Sequence, residues 1–220
     1  MKYAHVYVLF LMFVFCTSCG GQNKTDLPKE NIKSETKDIV TSPGSNKKYH
    51  TKYEYTDSIG KSLIMQNSFP KGGPYTHPTG KRFGYGIFWT RVINETATPL
   101  ELTINFPADS FAIFPQPDSY LKLFLPPDTM TLDKETLYDY GATGLKSFLD
   151  TAFYKPTMLQ KTIHPKEECL FYIGLVFRVP DNGPVRTGLV LKGQDLFYKI
   201  SIAGQLDSAL IPCGHIVFKK

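Results

Sequence analysis

Strict alternation of apolar and polar residues is the clearest pattern along the chain. In Leu100-Glu-Leu-Thr-Ile-Asn-Phe106, Leu100, Leu102, Ile104 and Phe106 share one face, and Glu101, Thr103 and Asn105 share the other. That period of two predicts a half-buried strand. Phe83 to Ile93 predicts a longer strand with Phe83, Tyr85, Ile87 and Trp89 on one face. Gly84 and Gly86 on its other face predict a bend, a bulge or close approach of a neighbouring chain. Cys169 to Val179 is apolar on both faces, as a central strand covered on both sides requires. Thr187–Leu191 and Leu196–Ile202 pair across Lys192-Gly-Gln-Asp195. Weaker strand signals cover Lys61–Gln66, Phe111–Phe114, Tyr120–Leu125, Thr157–Ile163 and Ile216–Phe218. One segment changes period. Leu145, Phe148, Leu149, Ala152 and Phe153 form a helical stripe, with Thr143 as the expected N-cap and Pro156 as the stop. The helix is expected to plug an end or a side of the sheets.

Short strands separated by turns rich in proline and glycine predict a mostly β fold, a two-sheet antiparallel sandwich with one short helix inserted. Two connections, Asn94-Glu-Thr-Ala-Thr-Pro-Leu and Ile163-His-Pro-Lys-Glu-Glu-Cys169, are similar to those of immunoglobulin-like bacterial β-sandwiches. The resemblance is architectural and implies no activity. Asn94-Glu95-Thr96 matches the glycosylation acceptor pattern and is taken as a chance match.

The N-terminus follows a different pattern. Lys2 precedes an apolar run, Val6 to Phe15, that is too short to span a bilayer. Thr17-Ser18-Cys19-Gly20 follows, and the whole resembles the signal peptide of a bacterial lipoprotein. The resemblance implies cleavage before Cys19, a diacylglyceryl group on its sulfur and export, with Gly20 pointing to the outer membrane. Cys16 stands where that family usually has leucine. Residues 1–18 are then a signal peptide and 19–57 a lipid-anchored, disordered tether of charged and small polar residues. Residues 58–220 are the sandwich, long enough for a substantial core.

The formal net charge of +5 is spread out, without a stripe of basic and aromatic residues, so nucleic acid is not an expected partner. Export would leave Cys169 and Cys213 as an even pair in an oxidising compartment. They are expected either to form a disulfide or to be two separate buried thiols.

No nucleophile elbow, zinc-protease motif, Cys-x-x-Cys, phosphate loop or EF-hand loop occurs. No catalytic residue, metal ligand or cofactor is assigned. Asp109, Asp118, Asp128, Asp133, Glu135 and Asp139 are expected to be solvated loop residues, and Phe111, Phe114, Tyr120, Tyr138 and Tyr140 to serve core and sheet edge. The most unusual segment is Lys71 to Tyr85, long for a connection and mixed in composition. Tyr75, His77, Arg82 and Tyr85 are its candidate ligand-binding residues, suited to sugar rings or an acidic peptide. The alternative is that these aromatics fold back as a lid on the sandwich. The expected function is a non-catalytic binding or interaction module of the cell envelope, with a protein partner or a glycan as ligand. A structural subunit of an envelope assembly and a polymer-acting hydrolase are the alternatives.

Overall fold

A computed structural model of the chain describes residues 39–40, 49–56, 59–109, 120–178, 185–202 and 208–219. Cys19, the signal-like segment, most of the expected tether and the expected strand Phe111–Phe114 lie outside them. Twelve strands are described: β1 (Ile39–Val40), β2 (Thr51–Thr56), β3 (Ser62–Asn67), β4 (Lys71–Thr76), β5 (Arg82–Asn94), β6 (Leu100–Phe106), β7 (Tyr120–Phe124), β8 (Thr157–Ile163), β9 (Glu168–Arg178), β10 (Val185–Lys192), β11 (Asp195–Ile202) and β12 (Ala209–Phe218). One α-helix, α1 (Leu145–Ala152), stands between β7 and β8.

The strands form an immunoglobulin-like antiparallel sandwich. One sheet has the order β1-β2-β3-β5-β9-β7, and the other β10-β11-β12-β6-β8. Long β5 organises the first sheet. One of its edges pairs with β9, and the other takes β4 on its first half and β3 on its second. Ser68 bridges the break between β3 and β4: its amide donates to the Trp89 carbonyl at 3.0 Å, and its hydroxyl accepts from the Trp89 amide at 2.8 Å. The alternating apolar residues of β6 fill the space between the sheets, with Leu100, Leu102, Ile104 and Phe106 all buried. Central β9 is covered on both faces, as its apolar run requires. Phe171, Ile173 and Leu175 face the second sheet, while Tyr172 and Val176 face a third layer.

The close approach expected at Gly84 is made by its cross-strand partner Phe177, whose ring would lie 2.5 Å from an added Cβ. The two immunoglobulin-like connections lie together. The Asn94 amide donates to the Glu167 carbonyl at 2.9 Å, and the Lys166 amide to the Asn94 carbonyl at 2.7 Å. Asn94 is wholly buried, and its side chain holds the Thr98 and Ile163 carbonyls, so it is a turn residue and not an accessible acceptor.

Both edges of the second sheet are managed. Leu189 and Leu191 on edge strand β10 donate their amides to Asn67 Oδ1 at 2.9 Å and to the Tyr55 hydroxyl at 2.8 Å, side chains of the first sheet. At the opposite edge, Lys161 of β8 stands across from Leu102 and therefore shares its inward face. An inward-facing lysine on an edge strand discourages the addition of another strand.

Three expectations are corrected. The sandwich does not begin at residue 58. β2 belongs to the first sheet, with Tyr53 and Tyr55 buried in its core, and β1 pairs with β2. The segment Lys71–Tyr85 is not an extended connection but a hairpin of β4 and β5 closed at His77–Lys81. Thr143 does not cap α1. The N-cap is Gly144, whose amide is held by Asp128 Oδ2 at 3.2 Å.

Candidate functional site

The chain between β7 and β8 forms the third layer, a cap on the outer face of the first sheet. It contains two 3-10 turns, Leu132–Thr136 and Tyr138–Gly141, followed by α1. The helical stripe foreseen in the sequence turns inward here. Leu145, Leu149 and Phe153 pack with Met130 and Tyr140 against Phe83, Ile87, Trp89 and Tyr172.

Polar staples fasten the cap. Tyr75 donates to Asp150 Oδ1 at 2.9 Å, and Tyr85 to Asp139 Oδ2 at 2.5 Å. Tyr140 donates to the Phe69 carbonyl at 2.7 Å, and Tyr172 to the Tyr140 carbonyl at 2.6 Å. Lys71 Nζ donates to the carbonyls of Glu135 at 2.8 Å and Leu137 at 2.6 Å, and lies 4.0 Å from the centre of the Tyr140 ring. Burial, then the bonds to carboxylates, holds the Tyr75 and Tyr85 hydroxyls well above their ordinary range. Burial raises Tyr172 to about 12 and lowers Lys71.

These staples hold an unusual backbone. Asp139, Tyr140 and Gly141 have φ of 44°, 53° and 70°, a run of left-handed residues. For the two non-glycine residues that geometry costs about 1–3 kcal/mol each, and strain of this kind gathers at ligand sites. The turn borders a cleft of about 440 Å³ between the β4–β5 hairpin and α1. The volume is within the roughly 300–1,000 Å³ of small-molecule sites. Its walls include Tyr75, Tyr85, Tyr138, Asp139, Thr143 and Lys146. Tyr138 is 80% exposed, and its hydroxyl lies 3.3 Å from that of Tyr85. Asp139 is only 5% exposed, and its Oδ1 has no hydrogen-bond partner among the described residues.

The four candidate residues separate. Tyr75 and Tyr85 line the cleft. His77 does not: its ring packs against Phe153 and Tyr154, with Nδ1 2.8 Å from the Thr79 hydroxyl, so it is part of the cap packing. Arg82 lies at a second cavity of about 490 Å³, with Gly84, Phe177 and Arg178. Pro74 and Tyr85 border both cavities.

Sequence reasoning passed over Asp139, Tyr138, Thr143 and Lys146 as site residues. Asp139 is buried rather than solvated, and Tyr138 is exposed rather than in the core. The one available signal was Asp139-Tyr140-Gly141, because aspartate and glycine are the residues that tolerate left-handed turns.

Cys169 and Cys213 are separate thiols, which corrects the expected bridge in favour of its alternative. They reside on different sheets, and Cys213 Sγ donates to the Leu196 carbonyl at 3.5 Å. Burial pushes the Cys213 thiol up to about 12, so it is no nucleophile at neutral pH. Among the described residues, no group of three or more His, Cys, Asp and Glu gathers to hold a metal ion. Among them, too, no helix is long and apolar enough to cross a membrane. No protein-family model, curated protein or solved structure matches the chain.

Proposed function

We propose that this protein is a lipid-anchored, non-catalytic binding module of the bacterial cell envelope, exported to the outer membrane and held by acyl chains on Cys19. The cap cleft is its ligand site. One observation carries the reading: β4, β5 and the cap converge on a strained turn whose Asp139 borders an aromatic cleft and keeps a buried carboxylate oxygen beside it. The carboxylates beside the cleft are fastened to tyrosines, Asp139 to Tyr85 and Asp150 to Tyr75. That arrangement suits recognition better than proton transfer, because burial and the carboxylate bonds raise both hydroxyls far above neutral pH. The guarded edges of the second sheet speak against a subunit that assembles by strand addition there.

The reading is tested with a photo-reactive amino acid placed at Tyr138, at Lys146 or at Val217, which is exposed on β12 of the other sheet. In intact cells, adducts should form from positions 138 and 146 and not from 217. Adducts from 217 alone would overturn it. Cys19→Ser should abolish acyl labelling and release the protein from membranes; unchanged labelling would defeat the anchor.

A further inference from the structure

We infer that the ligand of the cap cleft is a saccharide of low net charge, seated on the Tyr85–Tyr138 pair with a hydroxyl donated to Asp139. The inference rests on the binding-module reading and names its ligand class.

Four features select that chemistry. Tyr138 presents most of its ring to solvent, and Tyr85 beside it is half-buried and tied to Asp139. The two neighbouring tyrosines offer apolar ring faces, which suit the C–H face of a sugar ring. Next, Asp139 Oδ1 is covered from solvent and has no donor among the described residues. A buried acceptor left unpaired is costly, so a ligand that supplies a donor gains from it. Tyr138, 80% exposed and 3.3 Å from the Tyr85 hydroxyl, is the group that would shift to let that donor in.

The charge around the cleft is already balanced. Asp139 and Lys146 line it, Lys71 lies close enough to interact electrostatically with Asp139, and Asp150 is taken up by Tyr75. A neutral donor therefore fits better than an ammonium or a carboxylate, and Thr76 and Thr143 add polar residues to the walls. β4 is also poorly suited to pair with an extended peptide. Pro74 has no amide to donate, and Gly72 takes a φ of 142° within the strand.

The test is calorimetric titration of the full chain in detergent with cellotetraose, xylotetraose, maltotetraose and chitotetraose, and with hexaglutamate and hexalysine peptides as comparators. At least one saccharide should bind. Tyr138→Ala and Asp139→Asn should each raise its Kd roughly tenfold or more, while Arg82→Ala should leave it unchanged. Asparagine tolerates the left-handed turn, so the second variant keeps the fold. Binding by none of the saccharides, or binding indifferent to both variants, overturns the inference. Binding of a peptide alone, lost in Tyr138→Ala, overturns the saccharide and leaves the binding module standing. Saccharide binding lost only in Arg82→Ala overturns the cleft as the site.

Discussion

The two faces of the first sheet are packed by different chemistry. Toward the second sheet the contacts are mixed aliphatic and aromatic, and the polar ties between the sheets described here run from Asn67 to Leu189 and from Tyr55 to Leu191. Toward the cap, Tyr75, Tyr85, Tyr140 and Tyr172 each pair an apolar ring with a hydroxyl bonded to a carboxylate or a carbonyl. The first face holds the domain together by burial that requires little geometric matching. The second holds a strained turn in one conformation by directional bonds. The cap is therefore a separately fastened layer, and the sandwich is the platform beneath it.

Substitutions can break that division. The largest effect belongs to the inter-sheet core. Leu102→Ala should destabilise the whole domain by about 2–5 kcal/mol, read as one cooperative unfolding transition moved to lower denaturant. A transition in which only the cap is lost would contradict the assignment.

The next effect comes with pH. Burial raises the hydroxyls of Tyr75, Tyr85 and Tyr172 above the 10 of an unfolded chain, Tyr172 to about 12. Their contribution is fully present below pH 10 and is lost as the pH climbs through these folded values. Burial raises Tyr140 as well, and Lys71, lowered by burial, acts in the opposite direction, one group against four. Absorbance of tyrosinate should therefore appear late on raising the pH, together with loosening of the cap. Ordinary titration of every tyrosine near 10 would contradict the staples.

Asn67→Ala follows, at about 1–3 kcal/mol, because it unpairs the Leu189 amide at a guarded edge. The variant should self-associate more readily, as sedimentation would show; an unchanged association state and midpoint would remove Asn67 from edge protection. Tyr75→Phe is the mildest, at about 0.5–1.5 kcal/mol. It removes the bond to Asp150 while keeping the ring, and hydrogen exchange should quicken in α1 alone. Equal quickening in β6 would show that the layers are not separable.

The same division decides what was legible in the sequence. β6 follows strict alternation and β9 a continuous apolar run, and with the apolar stretches of β5, β10 and β11 these strands were predictable nearly to their ends. β2 was missed although Tyr53 and Tyr55 alternate with Lys52 and Glu54, because the polar stretch around it read as tether. The helical stripe of α1 was visible, but not the face it covers, since Leu145 and Leu149 would pack equally well on any apolar surface. The site was half legible. Tyr75 and Tyr85 stood out by composition, whereas Asp139 and Tyr138 acquire their roles from a left-handed turn that only tertiary staples such as Lys71 impose. No periodicity records such a turn.

Native-state hydrogen exchange of the full chain across a denaturant series tests the division of labour most directly. The account predicts that amides of the cap, from about Lys134 to Ala152, exchange through a local opening of lower free energy than those of β5, β6 and β9. Exchange of cap and sandwich amides through one common global opening would contradict it.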